Sequence, residues 1–394
     1  MRYLFVGALI ENAQEDQIND LAFSVAGNKM QTGFCEGIRN NGRECDVISV
    51  TPKRIWRGKG ILLVRRKEVS HDNGKTVYIP YINFPILKPI SIFISLLSSV
   101  RKWCKQNKEE YKTIITYNTV SYIYGAVLTA RKIYKFQNVG IIADLPLQHR
   151  KKSIKQLEDK LEVLLIKTLD FLVPLTRLIA NDYFDKEYLV IEGGIKENSQ
   201  LKKDIKEWNG KERGTVVFSG SLNEVSGIEF ALDVFEKMKN KRIELHIYGR
   251  GKYEKLVRDY QKRNVNIKYK GYVSEKEIMD IQKKADILIC PRKADNFVTK
   301  YTFPSKFMEY LLSGTPIIAN KLQGVPEEYD QYINFLKPEV NEWIEKIEEI
   351  YENMDKYILK TYKGREFVIE KKNWNYQSKK LIDRLEEKEN AFKN

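Results

Sequence analysis

A chain of 394 residues with 42% hydrophobic side chains can bury sizeable cores, which excludes a disordered chain and suggests two domains. Its net charge of +15 points to an anionic partner: nucleic acid, a membrane surface or a phosphate-bearing substrate. Four isolated cysteines without a CxxC pair argue against a disulfide framework, and three histidines with no Asp-x-Asp pair argue against a metal-dependent reaction.

Strand and helix signals alternate along the whole chain, the pattern of parallel sheets covered by helices on both faces. Residues 2–9 are too short an apolar run, with Glu11 following at once, for a secretion signal, and predict a buried first strand. Residues 24–33, with Gly27 and Gly33, read as a polar loop at that strand's carboxyl edge, where ligands bind in such sheets. The competing reading is a plain surface loop with glycines for turning. A helix then runs to Asn41-Gly42, and Cys45–Val50 is the next strand.

Basic residues gather in the first half, among them Lys53, Arg54, Arg57 and Lys59, then Arg65 to Lys67, and Arg150 to Lys152. Residues 76–100 carry little charge, but Lys88 and the prolines at 80, 85 and 89 forbid a spanning helix. A helix over Ile90–Cys104 either packs on the core or lies on an anionic bilayer beside its Trp-bearing basic end. Thr113–Asn118 and Val139–Ala143 read as strands around a helix at Ser121–Tyr134. Asp144, set before Pro146, is either a site carboxylate or a turn cap. Asp170–Thr176 and Tyr188–Ile195 are predicted as the last strands of a first domain.

Polar residues 196–213 mark the domain boundary. Beyond it come the strand Thr215–Leu222 with its Gly220 turn, a helix from Ile228, and the strand Ile243–Tyr248 with the turn Gly249-Arg250-Gly251. The strands Ile267–Val273 and Asp286–Cys290 follow, and Glu366–Leu385 is predicted as a terminal helix with Trp374 near its middle.

The stretch from Tyr301 to Ala319 reads as a loop, a short helix entered at Pro304, a stop at Gly314 and a buried strand. The free amides of Ser305 and Lys306 in the first helical turn suit an anion such as a diphosphate. Glu309 shares their face and is suited to accepting two ribose hydroxyls, while the plainer reading makes Lys306 and Glu309 a solvated pair.

This stretch, with its FPSK, EY and SG-x-P-x-IA pattern, resembles the signature of GT-B fold glycosyltransferases of family four, especially the bacterial polysaccharide and capsule type. The resemblance implies an α/β chain of two Rossmann-like, doubly wound domains facing across a cleft. Residues 1–197 with a crossing helix at about 374–394 would form the acceptor domain, and 210–370 the donor domain. It implies that Gly27, Gly220, Arg250, Ser305 and Lys306 hold the donor diphosphate, and that Glu309, Tyr272 and Val273 meet ribose and base. Tyr301 and Lys300 would face the donor sugar, with Asp144 and Glu309 as catalytic candidates. The chain departs from the family in carrying Tyr301 where many members have a second glutamate, and Ser221 and Ser226 where they have Arg and Lys.

The expected activity is a metal-independent, retaining transfer from a nucleotide-diphosphate sugar, a UDP-sugar in first place, to a glycan or polyprenyl-diphosphate-linked acceptor in cell-surface polysaccharide synthesis. No cofactor is expected. The expected partners are the nucleotide sugar, the acceptor and an anionic membrane touched by the basic N-terminal domain. The expected location is cytoplasmic, peripheral on the inner face of the cell membrane. Competing readings are a non-catalytic sugar-nucleotide or glycan-binding relative and a sugar-nucleotide epimerase. Nucleic acid is not expected, because no aromatics interleave with the basic clusters.

Overall fold

The computed structural model describes residues 1–11, 24–56, 58, 60–145, 154–196, 213–295 and 297–393. The chain divides into two compact units, Met1–Lys196 with Asn373–Asn394, and Glu197–Lys372.

The first unit opens with β1 (Arg2–Gly7), whose Tyr3 to Val6 are wholly buried, as an apolar run in a parallel sheet should be. Helix α1 (Val25–Asn40) follows, then β2 (Cys45–Ser49), the short β3 (Leu63–Val64), β4 (Lys67–His71), β5 (Gly74–Tyr78) and β6 (Tyr81–Ile82). Next come α2 (Leu87–Gln106), β7 (Lys112–Tyr117), α3 (Ser121–Arg131), β8 (Gln137–Ile142), α4 (Ile154–Ile166), β9 (Phe171–Pro174) and α5 (Arg177–Tyr183). Among the described residues the sheet order is β4-β5-β2-β1-β7-β8-β9, parallel except for the edge hairpin of β4 with β5. The order reverses between β1 and β7, so their carboxyl ends border a switch point.

Two sequence expectations fail in this unit. Residues 24–33 are not a loop but the cap and first turns of α1: Ser24 Oγ accepts from the Gly27 amide at 3.3 Å. The glycines that suggested a loop serve close packing instead. A Cβ at Gly33 would lie 2.2 Å from Trp374, and one at Gly37 would lie 2.3 Å from Ser378 Oγ. Tyr188–Ile195 is not a strand either. The segment runs beside β9, with a single bridge at Tyr188 and a bond from the Ile191 amide to Pro174 O, before Gly194 makes room for Trp374.

The second unit repeats the scheme with β10 (Gly214–Ser219), α6 (Ile228–Lys237), β11 (Ile243–Tyr248), α7 (Glu254–Arg263), β12 (Ile267–Gly271) and α8 (Glu275–Lys284). It continues through β13 (Ile287–Cys290), α9 (Phe297–Lys300), α10 (Lys306–Ser313), β14 (Ile317–Asn320), β15 (Asn334–Leu336), α11 (Val340–Glu352) and α12 (Met354–Lys371). Its sheet is all parallel in the order β12-β11-β10-β13-β14-β15, the doubly wound dinucleotide-fold order, with the reversal between β10 and β13. Its core joins Val216, Phe235, Leu245, Ile289 and Ile318 to Trp343 and Ile347 of α11.

The expected terminal helix is two helices. The chain breaks at Lys372-Asn373, and α13 (Trp374–Lys393) begins at Trp374, which is therefore its first residue rather than a mid-helix one. Asn373 Oδ1 accepts from the Tyr376 amide and so caps α13, a competition for the backbone that asparagine wins often at helix starts. Helix α13 packs on α1 within the first unit, its Trp374 ring 5.1 Å from that of Phe34. Trp374→Ala should therefore destabilise the first unit by about 3 kcal/mol, readable as a lower chemical-denaturation midpoint.

Candidate functional site

In the second unit the site grows from loops at the carboxyl edge of the sheet. Gly227 has φ +75, and a Cβ there would lie 1.7 Å from Pro291 O, so the turns after β10 and β13 touch through bare backbone. The Lys293 amide donates to Val225 O at 3.3 Å across the same seam. The turns after β10, β11 and β12 are likewise laced, with Gly220 N donating to Tyr248 O at 3.0 Å and Gly249 N to Gly271 O at 2.8 Å.

Helix α10 runs from this edge down toward β14, so its amino end lies beside the switch point. Tyr310, fully buried, fixes its register: its hydroxyl sits 3.0 Å from Ser219 Oγ, which also accepts from Gln282 Nε2 at 3.1 Å. The helix proper starts two residues after Pro304, whose carbonyl accepts from the Phe307 amide. Ser305 is exposed, and neither its amide nor that of Lys306 has an acceptor among the described residues. Lys306 Nζ lies 2.8 Å from Glu309 Oε2, so the two residues assigned to diphosphate and ribose pair with each other. Such a half-exposed i, i+3 pair contributes little stability and separates at little cost. Gly314, at φ +72, stops the helix.

Sequence reasoning missed Arg292 and Lys293. They follow the buried strand Ile287–Cys290 directly, and a basic pair behind an apolar run at a sheet's carboxyl edge was the available signal. Arg292 is half-buried and its guanidinium has no acceptor among the described residues, whereas Lys293 lies 3.6 Å from Glu224 and 3.7 Å from Glu229. Burial pushes the Cys290 thiol up to about 11, against the opposing pull of Arg292 and Lys306. Arg292 follows the end of β13 by two residues, and Lys306 opens α10, the helix that leads from that edge to β14.

The other residues singled out divide into two groups. Arg250 and Tyr272 meet at this edge: the guanidinium sits 4.5 Å from the centre of the Tyr272 ring, which is 63% exposed. Gly220 and the half-buried Val273 flank them. Tyr301, by contrast, turns inward. It is 6% exposed, packs edge-on against Phe297 at 5.2 Å, and its hydroxyl accepts from Lys300 Nζ at 3.0 Å. The position expected to face the donor sugar is thus filled by a packed ring with Lys300 folded over it.

In the first unit, Gly27, Tyr117 and Asp144 gather at the carboxyl edge. A Cβ at Gly27 would lie 3.2 Å from Tyr117 Oη, so the first turn of α1 rests on that phenol. Gly27 therefore meets the edge from a helix rather than from the loop first expected. Asn118, at φ +55, accepts from the amides of Ala143 at 2.9 Å and Asp144 at 3.4 Å, fixing the start of the Asp144 turn. The Asp144 carboxyl keeps an open face, yet desolvation by the surrounding protein raises its pKa. Burial raises the Tyr117 phenol, and the Asp144 charge adds to that. The loop behind β1 is pinned to α1 by side chains acting as backbone: Gln31 bonds Ala8 at both ends, and Asn28 does the same for Ile10. Pro146 and His149 lie outside the described residues, as do Arg57, Lys59 and Arg150 to Lys152.

Comparisons with known proteins bear on the fold. Residues 213–353 match the family model described as Glycosyl transferases group 1, so the second unit carries a glycosyltransferase domain. No curated protein matches the chain. Among solved structures, sucrose-phosphate synthase from Thermosynechococcus elongatus superposes with a TM-score of 0.68 at 14% identity, over 99% of this chain and 100% of that one. Anabaena HepE in complex with UDP gives 0.66 at 13% identity, covering 98% and 100%. The lipopolysaccharide outer core galactosyltransferase WaaB gives 0.64 at 12% identity, again covering 98% and 100%. These likenesses show the GT-B fold.

Proposed function

We propose that this glycosyltransferase, of GT-B fold and with a group 1 domain in its second unit, transfers a sugar from a UDP-sugar to a glycan or polyprenyl-diphosphate-linked acceptor. The reaction retains anomeric configuration and serves cell-surface polysaccharide synthesis on the cytoplasmic side of the membrane. The four cysteines, all free and buried, accord with a reducing compartment. The UDP in the HepE structure and the lipopolysaccharide acceptor named for WaaB support the choice of donor and acceptor class.

The observation that carries the reading is the placement at the sheet's switch point of Arg292, just after β13, and of the paired Lys306 and Glu309 in the first turn of α10. As the glycosidic bond breaks, negative charge grows on the departing diphosphate. Fixed donors and cations at that spot stabilise it more than they stabilise the intact donor, which lowers the barrier. Donor binding separates the resting pair: Lys306 turns to phosphate, and Glu309 accepts the two ribose hydroxyls. Tyr272, with Arg250 against one side of its ring, offers its other face to the base. Asp144, with its raised pKa, orients the acceptor hydroxyl at the carboxyl edge of the first unit's sheet.

The test is a panel of nucleotide sugars scored by thermal stabilisation and by turnover with and without acceptor. Glu309→Ala should weaken donor binding about 10- to 100-fold, the loss of two hydrogen bonds to a charged group, while the melting temperature without donor stays put. Unchanged donor affinity in that variant would remove the role given to Glu309. Stabilisation by a donor with neither transfer nor hydrolysis would make the protein a binder.

A further inference from the structure

We infer that the face of the first unit formed by residues 53–56, 60–67 and 81–94 docks on a lipid bilayer carrying anionic headgroups. The buried Asn83 makes these segments one piece. Its Nδ2 donates to the carbonyls of Arg54 (2.6 Å) and Ile61 (3.0 Å), and its backbone N–H donates to Leu62 O at 2.7 Å. Strands β3 and β6 pair across the same junction, and Lys88 Nζ ties α2 to Lys53 O at 2.6 Å. The piece is thus built as firmly as a core, yet it turns large apolar side chains outward.

Leu63 is 64% exposed, Phe84 40%, Ile86 80%, Ile90 52% and Ile94 60%. Ile90 and Ile94 lie one turn apart on α2, and Ile86 precedes the helix at its cap position. Ile86 also adopts φ +68, a conformation that β-branched residues avoid. Neither hydration nor backbone conformation favours isoleucine there.

Charge selects the occupant. Segments 53–67 and 81–94 contain no Asp or Glu at all. Arg54 and Arg65 are exposed and have no acidic partner among the described residues, and Arg66 reaches only Glu68. On α4 of the same unit the exposed Leu157, Leu161 and Leu164 lie among charges of both signs, Glu158 and Glu162 with Lys160, whereas the first face carries basic charge alone, which anionic headgroups attract. The isoleucines of α2 occupy the amino end of their helix, which leads down to the start of β7. They therefore sit toward the sheet edge that carries Gly27, Tyr117 and Asp144. A lipid-linked acceptor held in the bilayer would then present its sugar or diphosphate to that edge.

Flotation of the full chain with phosphatidylcholine vesicles, with and without phosphatidylglycerol, tests this directly, independently of the donor site. The chain should float with the anionic vesicles only. Arg54→Gln and Arg65→Gln should each weaken that binding about fivefold. The triple variant Ile86→Gly, Ile90→Ser, Ile94→Ser should weaken it about tenfold or more. Ile86→Gly alone should melt no lower than the parent, because glycine relieves the positive φ, so a loss of flotation is not a loss of fold. Nucleotide-sugar stabilisation should be the same in all variants. Absence of binding to anionic vesicles, or full binding by the triple variant, overturns the inference. So does a parent dimer in sedimentation velocity that the triple variant dissociates, since the face would then join two copies of the chain.

Discussion

Arg292→Ala should lower kcat/KM for transfer from the nucleotide sugar by about two to three orders of magnitude, with the melting temperature unchanged. The size follows from what else this sheet edge contains. Ser221 and Ser226 bring no charge to the first turn, Lys293 lies near Glu224 and Glu229, and Lys306 is shared with Glu309. The Arg292 guanidinium alone among these cations has no acidic partner among the described residues. It is half-buried and near the buried Cys290, where water screens a charge poorly. Arg292→Lys should recover part of the loss, because an ammonium restores the charge but not the two-pronged grip on phosphate oxygens. The informative split is between kcat and KM. Charge that acts on the departing diphosphate lowers kcat, whereas a contact made equally with bound donor raises KM alone. A variant with parental kcat/KM would return the role to Arg250 or to Lys300.

How far the chain could be read beforehand depended on whether a residue's local pattern and its tertiary use agreed. Tyr3 to Val6, Ile287 to Cys290 and Ile317 to Ala319 are short apolar runs, and all three are buried parallel strands. The helix after Pro304 was legible because the stop at Gly314 and the buried face of Met308, Leu311 and Leu312 point the same way. Residues 24–33 misled because glycine carries two meanings. In α1 its missing Cβ admits Trp374 and Ser378 of α13, which lie more than 300 positions away, and no local window records them. Trp374 misled for a related reason: helix propensity continues across Lys372-Asn373, but Asn373 spends its side chain capping the next helix. Tyr301 was assigned from its place in the family signature, where many members carry a glutamate, while its ring packs against Phe297 and Lys300. Arg292 went unnoticed because its importance comes from the turn opposite. The contact of Gly227 with Pro291 and the bond from the Lys293 amide to Val225 O bring it beside the turn after β10.

That contact yields the sharpest stability expectation. Gly227→Ala should destabilise the second unit by about 3 kcal/mol, roughly 6–10 °C in its melting temperature. Part of the cost is the φ of +75, which an alanine tolerates poorly. The larger part is steric, because a Cβ 1.7 Å from Pro291 O meets backbone, which has no alternative rotamer. The turns after β10 and β13 must then separate, and Arg292 moves with them, so donor affinity should fall together with stability. Gly220→Ala is the counterpart. Its φ of +155 is also unfavourable, but nothing lies within 4 Å of the new Cβ, so the cost should be about 1 kcal/mol. That empty space lies at the sheet edge where the diphosphate is proposed to sit, so the same methyl should weaken donor binding although the fold tolerates it. Denaturation and donor titration on the two variants separate these effects. If Gly220→Ala binds donor as well as the parent, the diphosphate does not lie against the first turn, and the anion site contracts to Arg292 and the tip of α10.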